Sequence, residues 1–350
     1  MLHILTPSHF TTSTSLFGLM RMTIRQLHQE KHQVIIIGDV DDAKRCRNQG
    51  VPVIGSCGGF LDASKTLQKR LCSYIKESNQ WKTQKIMAWG WHAMSVTTDC
   101  SWEFDTYAMI DEVDPTTLGV GGHTVIPTSQ SAVNLAERLG VPPMNLTEPL
   151  VGIEPTSIVI DKDTIHECFN WDGNGLFICV IGDFGSWQEI LSVAVRLRSL
   201  NQRATFVLPP TYRDRALLMH AAKRHGLHHM IKEIPLKLRP IDVLLAADCS
   251  WCPSIATFDY SSNVLDVLCA ASETTPLAVG TNHPIATIPT IGSQIAWASD
   301  DTEVCGWMIN LKKNSVSEEE ICAERVTTVR SIAAPTRFIE ALQMRIHTLV

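Results

Sequence analysis

The sequence has no glycine-rich dinucleotide fingerprint, no membrane-length apolar run and no excess of basic residues. Its 30 Lys and Arg are outnumbered by 36 Asp and Glu, for a formal net charge of −6. Phosphate backbones and anionic membranes select basic faces. No nucleic-acid partner is therefore expected, although a local basic cleft is still compatible with this balance. The longest apolar runs, such as Val34–Ile37 and residues 176–181, are strand-sized. A spanning helix needs about 20 such residues, so no integral membrane segment is expected. The opening residues MLHILTPSHF have no basic region followed by a long apolar run, and no signal peptide is expected there. The first apolar run is followed by TPSHFTTSTS, residues 6–15. This is not GxGxxG, which argues against a nicotinamide-dependent dehydrogenase.

Eleven cysteines are present, an odd number at irregular spacing in a chain too long for a disulfide-stapled miniature fold. They are read as buried reduced thiols of a cytoplasmic protein. Cys249 and Cys252 have redox-motif spacing, but they fall on or beside an apolar strand and not at a helix N-terminus. His225, His228 and His229 cluster around Gly226 with nothing nearby to complete a metal site, and read as a solvated loop. No metal and no cofactor are expected. The sequon at Asn145 would matter only in a secreted protein.

A length of 350 residues exceeds one typical core and implies two domains. Strand and helix patterns alternate along residues 1–150, lapse over the Pro- and Gly-rich stretch 140–155, and restart. Residues 15–30 carry Leu16, Leu19, Met20, Ile24 and Leu27 at helical spacing. Strands are expected at 34–37, 51–54, 85–89, 107–110 and 124–126. A helix is expected at 61–78, and another from the N-cap Ser129 to Leu139, ended by Gly140. After the linker, strands are expected at 176–181, 204–208, around Trp251, at 277–279 and at 295–298. Helices intervene at 187–200, 213–224, 241–247 and 263–271, and three more follow from 303 to 349. This alternation implies an α/β protein with two Rossmann-like doubly wound parallel-sheet domains facing a cleft, covering 1–150 and 151–350. Ligands in such sheets bind beyond the carboxyl ends of the strands.

The stretch 242–284 concentrates the chemistry. Its pattern is helix, short strand, Pro253-Ser254 turn, acidic loop, apolar helix with Asp266 near its start, then strand. Backbone amides and a helix N-terminus suit a phosphate, and carboxylates suit the hydroxyls of a ribose or hexose. Together they describe a pocket for a sugar nucleotide. The hydroxyl-rich loop 6–15 opens a helix and could face a phosphate or a sugar. His92, in the segment 88–93 after a strand, is a further candidate for substrate contact.

The order of elements in 242–284 resembles the donor-binding segment of GT-B glycosyltransferases of the large retaining family. The segment 125–155, ending in Val151-Gly152-Ile153-Glu154, resembles the end of the N-terminal domain of those enzymes, where the final turn is usually Asn-Gly-hydrophobic-Asp. Pro253-Ser254 matches the family's Pro-Ser turn. The family then has two glutamates separated by seven residues, one for the donor sugar and one for the ribose. Here the acids are Asp259 and Asp266, separated by six. The resemblance implies donor-sugar contact and a catalytic role for Asp259, and ribose binding for Asp266. It implies a nucleotide-binding site at Gly182, Ser254, Ser261, Ser262, Asn263 and Asp266, and acceptor-side chemistry at His92. It also implies a last helix that crosses back to the N-terminal domain. The family's Arg and Lys after the first strand of the C-terminal domain, which clamp the diphosphate, are replaced here by the run Gly182-Asp183-Phe184-Gly185-Ser186-Trp187-Gln188. Arg213, Arg215 and Lys237 are the candidate replacements.

The resemblance thus implies transfer of a sugar from a nucleotide-sugar donor to an acceptor with retention, and no metal. The missing Arg/Lys pair leaves open a catalytically inactive homologue that acts as a binding or assembly partner. A sugar-nucleotide epimerase on the same architecture is a third reading, for which no acid/base residues stand out.

Overall fold

The computed structural model describes residues 2–5, 14–29, 34–37, 85–98, 101, 104–111, 121–153, 160–182, 186–210, 212, 214–235, 238–253, 264–281, 283, 285, 291, 294–311 and 315–347. The strand expected at 51–54 and the helix expected at 61–78 lie outside them. The chain divides into two compact units. One is Met1–Glu154 with Ala333–Val350, and the other is Pro155–Ile332.

The first unit contains β1 (Leu2–Leu5), α1 (Thr14–Gln29), β2 (Val34–Ile37), β3 (Lys85–Trp89), α2 (Gly90–Val96), β4 (Asp105–Ile110), β5 (Thr124–Pro127) and α3 (Gln130–Arg138). Its described strands run parallel in the order β2-β1-β3-β4-β5. Parallel strands are covered on both faces, which is why they read as continuous apolar runs. Ile86, Met87, Ala88 and Trp89 are all fully buried. Leu16, Leu19, Met20 and Ile24 form the buried stripe of α1, as their spacing predicts. Ser129 caps α3 by accepting the Ala132 N–H at 3.1 Å.

The second unit contains α4 (Lys162–Cys168), β6 (Leu176–Val180), α5 (Trp187–Ser199), β7 (Ala204–Leu208), α6 (Arg215–Arg224), β8 (Ile231–Glu233), α7 (Pro240–Ala246), β9 (Cys249–Cys252), α8 (Val264–Ala271), β10 (Leu277–Gly280), β11 (Ala296–Ala298), α9 (Asp301–Leu311) and α10 (Ser315–Ile332). The strands are parallel in the order β11-β10-β9-β6-β7-β8. Numbered within the unit, this is the dinucleotide-fold order 3-2-1-4-5-6 read from the β8 edge. Ile178, Val180, Ile190, Val193, Phe206 and Trp251 lie at the centre of its core.

Helix α11 (Pro335–His347) belongs to the first unit. Phe338, Leu342 and Ile346 recur at four-residue spacing and are buried, with Ile339 beside them. Each such side chain contributes about 1.5–3 kcal/mol by burial. The helix end is held by polar groups as well. Lys85 Nζ and Tyr107 Oη both donate to the Ile346 carbonyl, the tyrosine at 3.2 Å. A cation at the final carbonyls also suits the helix dipole. Gly152 is required here because a Cβ at that position would lie 2.5 Å from the Phe338 ring. The glycine of the Val-Gly-Ile-Glu turn therefore has a packing reason.

Two helices escaped the pattern reading, α2 and α4. Each spans seven residues, too short to show a periodic stripe. Helix α4 depends instead on its cap. The Asp161 carboxylate accepts the Asp163 N–H at 3.1 Å and the Thr164 N–H at 3.3 Å.

Among the described residues, the second unit contains one fully buried arginine. Arg325 of α10 is 1% exposed. Its guanidinium donates to the carbonyls of Ala271 (3.1 Å), Glu273 (2.8 Å), Thr275 (2.7 Å) and Gln294 (3.5 Å). Ala271 ends α8, so the cation neutralises that helix's unsatisfied C-terminal carbonyls and its dipole together. One turn on, Arg330 donates to Ser272 O at 3.1 Å and meets the Glu273 carboxylate at 3.4 Å. Arg325→Met should destabilise the fold by about 3 kcal/mol or more, because several buried carbonyls lose their donor at once. Arg325→Lys should recover only part, since an ammonium cannot reproduce the planar fork. Urea titration of the purified variants is the check, and an unchanged midpoint for Arg325→Met would refute the clamp.

Candidate functional site

The strand order of the second unit reverses between β6 and β9. This is the switch point at which doubly wound sheets open a crevice at their carboxyl edge. The two strand exits are tied together there, since Ile181 N–H donates to Trp251 O at 2.8 Å. Gly182 follows with φ +91° and is buried. A side chain is strained at that φ, so the sharp exit from β6 depends on glycine. Residues 183–185 lie outside the described set. Ser186 then caps α5, accepting the Glu189 N–H at 3.3 Å and donating to Gln188 Oε1 at 3.2 Å. The N-terminus of α5 therefore meets its own serine and an acidic first turn, which is the favoured sign for its dipole.

Strand β9 leaves the same edge at Cys252 and Pro253. Ser254, Asp259, Ser261, Ser262 and Asn263 lie outside the described residues. Helix α8 begins at Val264 and carries Asp266 in its first turn, 8% exposed. The Pro253 turn and the start of α8 therefore belong to the same edge as Gly182, while Arg325 holds the opposite end of α8.

Two residues at this edge were not singled out by the sequence reading. Tyr212 lies just past β7 and is buried. Burial, reinforced by Asp214, Cys252 and Glu189, pushes its phenol above the ordinary tyrosine range. It stays protonated and able to donate. His283 lies just past β10 and is 7% exposed. Its N–H donates to Gly280 O at 3.0 Å, and the preceding Thr281 N–H donates to Ala298 O at 3.1 Å. The ring nitrogen Nδ1 accepts the Ile285 N–H at 3.2 Å. Burial pushes the imidazole down to about 4, so it is neutral at pH 7. The sequence did carry one signal for His283, which is a histidine directly beyond an apolar parallel strand inside the stretch 242–284.

Of the candidate cations, Arg213 and Lys237 lie outside the described residues. Arg215, at the start of α6, pairs with Glu233 at 2.9 Å, and both are partly exposed. His228 and His229 sit in a 3-10 turn and are exposed.

In the first unit, the segment around His92 is a short helix. Gly90, at φ +82°, turns the chain from β3 directly into α2. His92 is the third residue of α2, and its side chain lies outside the description. Trp91 anchors this corner by donating from its indole Nε1 to Asp111 O at 3.0 Å, at the exit of β4. Trp89 and Trp91, on either side of Gly90, are both buried. Of the hydroxyl-rich loop, Thr14 and Ser15 belong to α1 and the rest lies outside the described residues.

Cys249 and Cys252 both sit in β9 and are buried. Positions three apart on a strand point to opposite faces, so these two sulfurs cannot meet. Burial raises the Cys249 thiol well above its usual range and pushes Cys179, on neighbouring β6, up to about 12.

No protein-family model and no curated protein matches the sequence. Solved structures do match the fold over nearly the whole chain. The Anabaena protein HepE in complex with UDP-glucose has a TM-score of 0.72 at 12% identity, covering 99% of both chains. WaaG, a glycosyltransferase involved in lipopolysaccharide biosynthesis, has a TM-score of 0.64 at 10% identity, covering 99% of this chain and 100% of WaaG. UDP-GlcNAc 2-epimerase from Neisseria meningitidis, bound to UDP-GlcNAc, has a TM-score of 0.57 at 10% identity, covering 98% and 99%. The chain has the GT-B glycosyltransferase fold. Among the described residues, no helix is long and apolar enough to cross a membrane.

The thiol geometry makes a testable statement. In the native protein, Cys179 and Cys249 should resist a thiolate-selective alkylating reagent at pH 8, and both should react after unfolding in guanidinium. Peptide mapping of the labelled chain is the check. Rapid native labelling of Cys179 would show that β6 is not buried as described, and of Cys249 that β9 is not.

Proposed function

We propose that this chain is a glycosyltransferase that moves a sugar from a nucleotide-sugar donor to an acceptor, with retention. The observation that carries this reading is the crevice position in the second unit. Gly182 and Pro253 leave adjacent strands at the switch point, and α8 with Asp266 follows in the chain. A glycine exit brings backbone amides close to a phosphate, and a buried carboxylate at the edge suits a ribose hydroxyl pair. The fold comparisons support the donor class, because HepE and the epimerase are seen with UDP-linked sugars. UDP-glucose is accordingly the first donor to test.

On this reading the nucleotide site comprises Gly182, Ser254, Ser261, Ser262, Asn263 and Asp266. Asp259 serves the donor sugar and His92 the acceptor side. Negative charge develops on the departing diphosphate, and groups positioned in advance to meet it supply the largest part of catalysis. Here the α5 turn offers Glu189 and no cation among the described residues, and Arg215 is paired with Glu233. The diphosphate is then met by backbone amides, by neutral donors and by whichever of Arg213 and Lys237 reaches it. The chemistry requires no metal. The same poverty in cations is what favours the second reading, a nucleotide-binding homologue without turnover.

The test is a thermal-shift panel of nucleoside diphosphates and nucleotide sugars, followed by donor hydrolysis and transfer assays. A ligand at 100 times its Kd should stabilise the fold by about 2.7 kcal/mol. Asp266→Asn should weaken UDP binding by about 1.5–3 kcal/mol, the usual worth of a hydrogen bond to a charged group, and calorimetry reads it directly. Unchanged affinity in a folded Asp266→Asn protein would move the ribose site elsewhere. Binding without hydrolysis or transfer would select the non-catalytic reading.

A further inference from the structure

The connection from β10 to β11 contains a buried donor that the fold leaves unused. Nδ1 of His283 accepts the Ile285 N–H, so in the neutral ring the proton sits on Nε2. Nε2 is buried and has no hydrogen-bond partner among the described residues. Burying a donor away from water without an acceptor is strongly unfavourable, and native structures rarely tolerate it without a reason. The place of this donor supplies the reason. Strands β9 and β10 run parallel with Cys252 opposite Val279, so the exit of β10 at Gly280 is level with Pro253. His283 therefore follows a strand that leaves the sheet at the same edge, and in the same direction, as Pro253. Its own backbone is held, through the turn to Gly280 and the Thr281 bond to the end of β11.

We propose that His283 is a ligand-binding residue of the second unit, its Nε2–H donating to an oxygen of the bound nucleotide sugar. This assignment rests on the nucleotide-sugar reading of the crevice and extends it to a residue outside the segment 253–266. The ring acts as an uncharged donor of fixed tautomer, held by Ile285 before the ligand arrives. Pre-organisation of this kind lets one hydrogen bond contribute its full worth to binding. The acceptor can be a diphosphate oxygen or a hydroxyl of the hexose, and the choice of ligand separates them.

Two substitutions divide the ring's roles. His283→Asn keeps an oxygen where Nδ1 accepts the Ile285 N–H and removes the outer donor. His283→Gln places an amide N–H near the position of Nε2. Calorimetric titration of the full chain with UDP and with UDP-glucose should show H283N weakened about 10–100-fold, with H283Q recovering most of the loss. Loss with both ligands assigns the oxygen to the diphosphate, and loss with UDP-glucose alone assigns it to the hexose. Wild-type affinity for both ligands in a folded H283N protein would overturn the assignment and leave the nucleotide-sugar reading standing. An equal loss in H283N and H283Q marks a structural role and also overturns it. A wild-type chain that binds neither ligand at millimolar concentration would overturn the assignment together with the reading beneath it.

Discussion

The second unit depends on one buried guanidinium. Arg325 takes four backbone carbonyls from two connections, Ala271 to Thr275 and Gln294, at the amino edge of the sheet. Each of those carbonyls is out of water, and none of them lies within a strand. Without the cation the C-terminus of α8 would be a row of unmet acceptors facing its own dipole. Burial lowers the arginine's pKa, against the opposing influence of Cys322 and Glu318. The clamp sets where α8 lies on the sheet. Asp266 lies at the far end of the same helix, in its first turn.

The carboxyl edge of this unit is unusual in charge. The family that the chain resembles places an Arg and a Lys over the diphosphate. The described part of this edge instead presents Gly182, a serine cap with an acidic first turn, a protonated tyrosine and a neutral histidine. Amides and neutral donors can hold a phosphate when water is excluded, since a hydrogen bond is stronger in a low dielectric. They contribute less to a leaving group whose charge is growing. On the proposed reading, turnover therefore has to be measured separately from binding.

Much of the architecture was legible in the sequence, for local reasons. Apolar runs at 86–89, 176–180 and 206–208 match parallel strands because such strands bury both faces. The cap at Ser129 and the stop at Gly140 bound α3 because capping is a property of a few adjacent residues. The seven-residue helices α2 and α4 were not legible, whereas the equally short α7 was, its start marked by Pro240 and its length by the apolar run Val243-Leu244-Leu245-Ala246. His283 and Tyr212 were overlooked because a single histidine or tyrosine carries no spacing by which to recognise it.

The sequence by itself determined the α/β class, the two-part organisation, the restart of the pattern after residue 155 and the likeness of the stretch 242–284 to a donor-binding segment. Each of these follows from patterning between neighbours in the chain. The tertiary structure alone decided which strands lie side by side, and hence that Gly182 and Pro253 meet at a switch point. It decided that Arg325 caps a helix 54 residues away and that α11 closes onto Gly152. It decided that Cys249 and Cys252 face opposite sides of one strand, and that His283 ends up buried with its outer nitrogen unmet. These are matters of burial and of contact between distant segments, and a dielectric environment or a missing partner exists only once the chain has folded.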